Sequence, residues 1–207
     1  LSQVIEAHWA TVIGKVPPQI DLINAHLRTV TVQSRGGINR EAVAAIENAL
    51  LDIKGKALGV PVYDLFGGPV RTRIPVYWSH CGSYRARYPE LLGVPRVQSY
   101  DDLARLGEEV ARRGFKALKT NVALSDGKTL ASYRPGFGYS QGYPELNWDA
   151  DIVKAAVDTA SAFRAGAGPS MGIMMDLNFN YKTEGFRRIA QALAPVGMNW
   201  LEIDTHD

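Results

Sequence analysis

The sequence has a single cysteine, Cys81, among its 207 residues. That excludes an internal disulfide framework and a zinc site built on thiolates, and it suits a reducing compartment. Long apolar stretches are missing as well: no run reaches 18 residues, so no membrane-spanning helix is predicted. Neither charge sign is in excess, with 23 Lys and Arg against 21 Asp and Glu for a formal net charge of +2. Without a polybasic block, neither a nucleic acid nor a membrane surface is expected as a partner. Residues 1–10 carry Glu6 and His8 where a secretory signal would be apolar, and the expectation is a soluble, cytoplasmic protein. At 46% hydrophobic and 21% charged, the chain is not disordered and is long enough for a full domain, alone or with a small companion.

What is present falls into two kinds of segment. From Asn39, apolar residues recur at Val43, Ile46, Ala49, Leu50 and Ile53, the three- and four-residue steps of an amphipathic helix. Asn39 is expected to cap it and Gly59 to stop it. Residues 1–32 also follow helical spacing, on either side of a break at 14–18. After Arg73 the pattern changes to four short apolar runs, at 74–78, 117–122, 172–177 and 200–203, separated by amphipathic stretches at 100–113, 150–164 and 183–193. Those stretches are expected to open at Ser99, at Asn147 or Asp149, and at Thr183. The order β-α-β-α-β-α-β predicts an α/β fold with a parallel sheet. Because no glycine fingerprint follows the first run, a barrel of the triosephosphate isomerase type is favoured over a doubly wound sheet. The alternation stops after its fourth run, so the chain is expected to be a piece of a longer polypeptide, with the missing half or a second copy closing the sheet.

Parallel barrels carry their functional residues at the C-terminal ends of strands. The last three runs end in Lys119-Thr120-Asn121, Asp176-Leu177-Asn178 and Glu202-Ile203-Asp204. Alternation puts Lys119 with Asn121, Asp176 with Asn178, and Glu202 with Asp204 on common faces. If that face is the barrel mouth, carboxylates and a lysine converge on one pocket. Asp176 and Glu202 are hard oxygen ligands of the kind Mg²⁺ takes; the alternative for each is a solvated strand-end acid, and for Lys119 a salt-bridge lysine. The insert at 123–146 is rich in Gly, Tyr and Ser, and its Arg134, Tyr139 and Tyr143 can donate to the hydroxyls and carboxylate of a polar substrate or form an oligomer contact. His80 follows the first run and either faces the pocket or packs. Of Tyr77 and Trp78, one is expected inward and one outward, and Cys81 reads as a buried small hydrophobe.

The stretch AIENALLDIKGKALGVPVYDLFGG at 45–68 resembles the last helix and turn of the capping domain in the enolase superfamily, in its mandelate racemase and muconate-lactonizing branch. The order of GFKALKTN, MDLNFN and WLEID that follows is similar to the same family. The resemblance implies a partial (β/α)7β barrel in residues 73–207, preceded in 1–72 by the helical part of an α+β capping domain. Asp176 and Glu202 match the family's first two Mg²⁺ ligands, and the third is expected, like the general base, beyond residue 207. Lys119 matches the first lysine of a Lys-x-Lys motif, which contacts the substrate carboxylate. Asn121 stands where the second lysine would act as base, and an amide takes up no proton at neutral pH. That departure removes two-base racemisation and resembles a variant found among sugar-acid dehydratases. Asn178 matches a substrate-holding position; its alternative is a strand-end amide bonded to backbone.

The implied activity is Mg²⁺-dependent dehydration of an acid sugar by a homo-oligomer, through proton abstraction next to the carboxylate and a metal-stabilised enediolate. A racemase, epimerase or cycloisomerase of the same superfamily is the alternative, and a catalytically silent fragment a further one.

Overall fold

In the computed structural model, residues 1–34, 36–135 and 146–204 are described. The chain divides into two units, Leu1–Ile74 and Pro75–Asp207.

The helical spacing of the first unit produces α1 (Ser2–Ala7), α2 (Trp9–Val12), α3 (Ile20–Val30) and α4 (Gly37–Leu58). The break between α2 and α3 falls where predicted, at Gly14, whose φ of 77° suits a residue without Cβ, and at the pair Pro17-Pro18. Ile20, Ile23 and Leu27 form one stripe of α3 and bury against Val43 and Leu50 of α4. Asn39 does not cap α4. Its amide donates back to the Ser34 carbonyl at 3.3 Å and Ser34 Oγ at 2.9 Å, and the helix begins two residues earlier, with Gly36 at the cap position. Gly59 stops α4 as predicted, in the left-handed conformation with φ 69°. The Val60 N–H then bonds the Gly55 carbonyl at 3.0 Å, and the turn lies so close that a Cβ on Gly55 would sit 2.9 Å from the Val60 carbonyl oxygen.

Among the described residues of the second unit, the strands are β1 (Ala117–Thr120), β2 (Ala123–Ser125), β3 (Leu130–Ser132), β4 (Gly172–Asp176) and β5 (Trp200–Glu202). A parallel sheet runs in the order β1-β4-β5, and β2 pairs with β3 as an antiparallel hairpin. The first predicted strand is reduced to one bridge, Trp78 with Leu118. Pro75 has no N–H to offer a ladder, and Ile74 and Val76 are 75% and 64% exposed. The 123–146 insert, read as a loop, contains the β2–β3 hairpin, turned by Asp126 as its carboxylate accepts from the Lys128 and Thr129 N–H groups.

The helices are α5 (Ser83–Arg87), α6 (Pro89–Leu92), α7 (Tyr100–Arg112), α8 (Ala150–Ala167) and α9 (Thr183–Leu193). Ser99 caps α7 in a reciprocal box with Asp102, and Asp149 rather than Asn147 caps α8 through the Ile152 N–H at 2.9 Å. Thr183 is the first helical residue of α9, and the cap position is taken by extended Lys182, which makes no side-chain cap. One face of the sheet is sealed by these helices: Leu118 and Ile173 meet Leu103, Leu106 and Phe163, while Met175 meets Ala156, Phe186 and Ile189. Helices α7 and α8 approach to backbone contact, since a Cβ on Gly166 would run into the Ala104 carbonyl. Among the described residues no helix is long and apolar enough to cross a membrane.

Arg85 ties α5 to α7 through two bonds to Glu109, at 2.7 and 2.9 Å, and Arg113 adds a third at 2.6 Å. Both guanidinium groups lie over the Trp78 ring, 5.4 and 5.1 Å from its centroid. The hydrogen bonds from Arg85, joined by the charges of Arg85 and Arg113, outweigh burial and hold the Glu109 carboxyl below the usual range. Its contribution is therefore complete above the ordinary glutamate value of about 4.3 and is lost as pH falls through the depressed folded value. Glu109→Gln is expected to cost about 1–2 kcal/mol at pH 7. In denaturant titrations that difference should hold down to about pH 5 and shrink towards zero below about pH 4.

Candidate functional site

The sheet's register decides which side chains meet. Lys119 pairs with Met174 and Met174 with Trp200, while Asp176 is the direct partner of Glu202. Partners at one level of a parallel sheet share a face, so the face away from the helices carries Lys119, Met174 and Trp200 in one layer and Asp176 and Glu202 in the next. Tyr77 joins the first layer. Its ring is 5.9 Å from the Trp200 ring and 5.9 Å from Lys119 Nζ, while Trp78 points to the opposite side and packs on the core with Phe115.

Lys119 Nζ lies 2.5 Å from Glu202 Oε2 and 3.6 Å from Asp176 Oδ2. Burial works to discharge this ammonium, but the Glu202 hydrogen bond and the charges of Asp176 and Glu202 more than offset it, and its pKa is raised. Lys119 is thus a cation at neutral pH. Asp176 is 5% exposed, and its two oxygens have different partners. Oδ1 accepts from the Asn178 backbone N–H at 2.9 Å and from Asn178 Nδ2 at 2.6 Å, which leaves Oδ2 directed towards Lys119. Asn178 achieves this in the left-handed region at φ 50°, which asparagine tolerates better than most residues. Asn121 is engaged at both ends: its Nδ2 donates to the Asp176 carbonyl at 3.1 Å, and its Oδ1 accepts from Ser83 Oγ at 2.9 Å. The chain past β5 is tied in by the Asp204 N–H, which bonds the Asn178 carbonyl at 3.1 Å.

Asp204 completes a group of three. Carboxylate oxygens of Asp176, Glu202 and Asp204 come within 4.8 Å of one another. Three hard oxygen donors, one of them fixed by its neighbours' hydrogen bonds, fit Mg²⁺, which takes a few carboxylates and fills its remaining positions with water or ligand oxygens. Alternation along the last strand puts Asp204 on the Glu202 face, whereas the family resemblance implies a third ligand beyond residue 207.

The carboxylates and Lys119 lie in a cavity of about 350 Å³ that also takes in Asn121, Asn178, His80 and Arg134. His80, at φ 50°, stacks on the Tyr84 ring at 4.6 Å. Tyr139 and Tyr143 lie outside the described residues. Ser83, Tyr84 and Arg87 from α5 and Ser132 from β3 also line this cavity and were not anticipated; α5 is too short for its periodicity to be read, while the Asp126-Gly127 pair between Leu124 and Leu130 was a legible hairpin signal. Cys81 is fully buried, and desolvation pushes its thiol far above the usual range, as for an inert core residue.

Residues 2–67 match the family described as mandelate racemase/muconate lactonizing enzyme, N-terminal domain. A D-galactonate dehydratase family member from Streptomyces bingchenggensis is 31% identical over 193 residues, covering 92% of this chain and 44% of that protein. A 3,6-anhydro-alpha-L-galactonate cycloisomerase from Streptomyces coelicolor is 30% identical over 173 residues, covering 83% of this chain and 36% of its own. A solved structure from Burkholderia xenovorans, named as an L-alanine-DL-glutamate epimerase and bound to magnesium and fumarate, is 40% identical with a TM-score of 0.93, covering 99% of this chain and 51% of that one. The chain belongs to the mandelate racemase and muconate-lactonizing branch of the enolase superfamily. It spans about half the length of these relatives or less.

If the carboxylates bind a divalent ion in the folded state alone, Mg²⁺ must stabilise the protein. At a hundredfold excess over Kd the gain is about 2.7 kcal/mol, roughly 5–10 °C in Tm for a chain of this size. Asp176→Asn and Glu202→Gln are each expected to abolish most of that rise in a thermal-shift titration, and Lys119→Met, which removes a competing cation, to preserve or enlarge it. An unchanged rise in both carboxylate variants would place the ion elsewhere.

Proposed function

We propose that this chain forms the metal- and carboxylate-binding part of a Mg²⁺-dependent dehydratase of acid sugars. The reaction removes the proton next to the substrate carboxylate and then expels a β-hydroxyl as water, giving a 2-keto-3-deoxy acid. The observation that carries this reading is a buried ammonium beside a matched pair of carboxylates, Lys119 with Asp176 and Glu202. In it, residues 1–72 are the helical part of a capping domain and 73–207 the first part of a barrel, within a cytoplasmic homo-oligomer.

Asp176 and Glu202 hold the ion, with Asp204 available as a third donor. Bound magnesium supplies positive charge for the anion that forms beside the substrate carboxylate. Lys119 leaves Glu202 to donate to that carboxylate, which it binds and orients. Asn121 takes up no proton. Its two hydrogen bonds hold the end of β1 to β4 and α5, so it acts by positioning. Asn178 fixes the Asp176 carboxylate and lies at the substrate's edge of the cavity. His80 and Arg134 line the same cavity, where they can meet substrate hydroxyls, and Tyr139 is assigned to the same task on sequence alone. The general base is assigned to a residue outside 1–207.

Relatives are named for dehydration, cycloisomerisation and epimerisation, and the magnesium- and fumarate-bound relative supports a small carboxylate as ligand. Exchange of the abstracted proton with deuterium from solvent, without loss of water, would favour the epimerase or cycloisomerase reading. For the dehydratase, full-length protein screened against aldonic and aldaric acids is expected to release a 2-keto-3-deoxy product, detectable as a semicarbazone. Asp176→Asn should lower kcat/KM more than about 100-fold. Undiminished turnover in that variant would remove the metal from the mechanism.

A further inference from the structure

One side chain of the cavity stands where strand alternation would not put it. Beside β1, Tyr77 lies on the side of Lys119 and Trp78 packs on the core. Continued alternation would send residue 79 to the cavity and residue 80 to the core. A regular parallel ladder would also pair the Lys119 N–H with the carbonyl of residue 78, and the Lys119 carbonyl with the N–H of residue 80. The first of these bonds is present at 2.8 Å, from Lys119 to Trp78. The second, at the same length, comes from Cys81 instead. The chain has slipped by one residue against β1, as in a β-bulge, a device that re-aims a side chain. Cys81 takes the core position, fully buried with Leu118 and Ile173. His80 is turned out of that position and lines the cavity with Lys119, Asp176 and Glu202.

The slip has a conformational cost. His80 adopts φ 50°, a left-handed backbone unusual for a residue with a Cβ, and the bonded neighbours Trp78 and Cys81 keep it there. Its ring direction is fixed as well, stacked on Tyr84 with centroids 4.6 Å and planes 11° apart.

Expulsion of a β-hydroxyl needs a proton donor, and the reading above leaves that role unfilled. Among the described residues of the cavity, Asp176 and Glu202 are assigned to the ion and Lys119 to the substrate carboxylate. Guanidinium groups keep their protons, and amides and aliphatic hydroxyls have none to give near neutrality. An imidazole is the side chain whose ordinary pKa suits the task, whereas a phenol such as Tyr84 ordinarily titrates near 10.

Resting on the dehydratase reading, we infer that His80 is the general acid that protonates the departing hydroxyl. As the electron pair of the enediolate forms the new C2–C3 double bond, the C3–O bond breaks and a ring N–H of His80 passes its proton to that oxygen. Water leaves, the enol tautomerises to the 2-keto acid, and the neutral imidazole takes a proton back from solvent.

A leaving group that needs no proton tests this assignment. Full-length protein is assayed with the acid sugar it dehydrates best and with the analogue carrying fluorine in place of the departing hydroxyl, from which fluoride leaves as the anion. His80→Asn is the variant of choice because asparagine tolerates the left-handed backbone, and His80→Gly, equally at ease there, is carried in parallel. Both are expected to lower kcat for water loss at least 100-fold while fluoride release stays within about tenfold of wild type. Retained fluoride release also shows that the fold and the ion site survive. An equal fall on both substrates, or undiminished water loss, overturns the assignment and leaves the dehydratase reading standing. Failure of the wild type to release water from any acid sugar overturns both.

Discussion

Two carboxylates at matched positions on neighbouring parallel strands repel each other, and the rest of the second unit is arranged around keeping them there. Asp176 and Glu202 are direct partners in the β4–β5 register, so neither can withdraw without breaking the ladder. Like charges this close need a cation. Without a metal, Lys119 supplies it, reaching across from β1 to both acids. The sheet can hold this charge because its other face is thoroughly apolar: Leu118, Ile173 and Met175 lock the strands to α7, α8 and α9. Backbone contact between α7 and α8 at Gly166 keeps that layer from yielding.

Around the acids, hydrogen bonds fix direction rather than adding much stability. Asn178 occupies one oxygen of Asp176 with two donors, leaving the other to face outward. Asn121 and Ser83 continue the network to α5, so that helix is coupled to the strand end that carries Asp176. A site whose ligands are held before the ion arrives loses little on ordering them, which is what preorganisation requires. The left-handed backbone at His80 and Asn178 marks where local conformational preference has given way to this arrangement.

Much of this was legible because buried parallel strands read as short apolar runs, and three of the four such runs, at 117–122, 172–177 and 200–203, became β1, β4 and β5 with their ends trimmed. Each was trimmed at its C-terminal end, where the chain turns towards the site. The run at 74–78 misled because Ile74 and Val76 have strand character while Pro75 cannot join a ladder. Capping was read well where an acceptor side chain meets free N–H groups, at Ser99 and Asp149, and badly at Asn39 and Thr183, where the helix starts one or more residues away from where its polar side chain implied. Lys119, Asp176, Glu202 and Asn178 could be brought together from alternation within each strand plus the expectation that the strand ends form one barrel mouth. Arg87 and Ser132 could not, because they come from a five-residue helix and a short hairpin whose placement depends on tertiary packing.

The central claim is that Asp176 and Glu202 share one divalent ion and that Lys119 gives way to it. Crystals of the full-length protein soaked with Mn²⁺ in place of Mg²⁺ test this through anomalous scattering. The account predicts one strong peak at about 2.1–2.3 Å from an oxygen of each acid, with Lys119 Nζ drawn away from Glu202. A peak bound elsewhere, or an undisturbed Lys119–Glu202 pair at saturating metal, would contradict it.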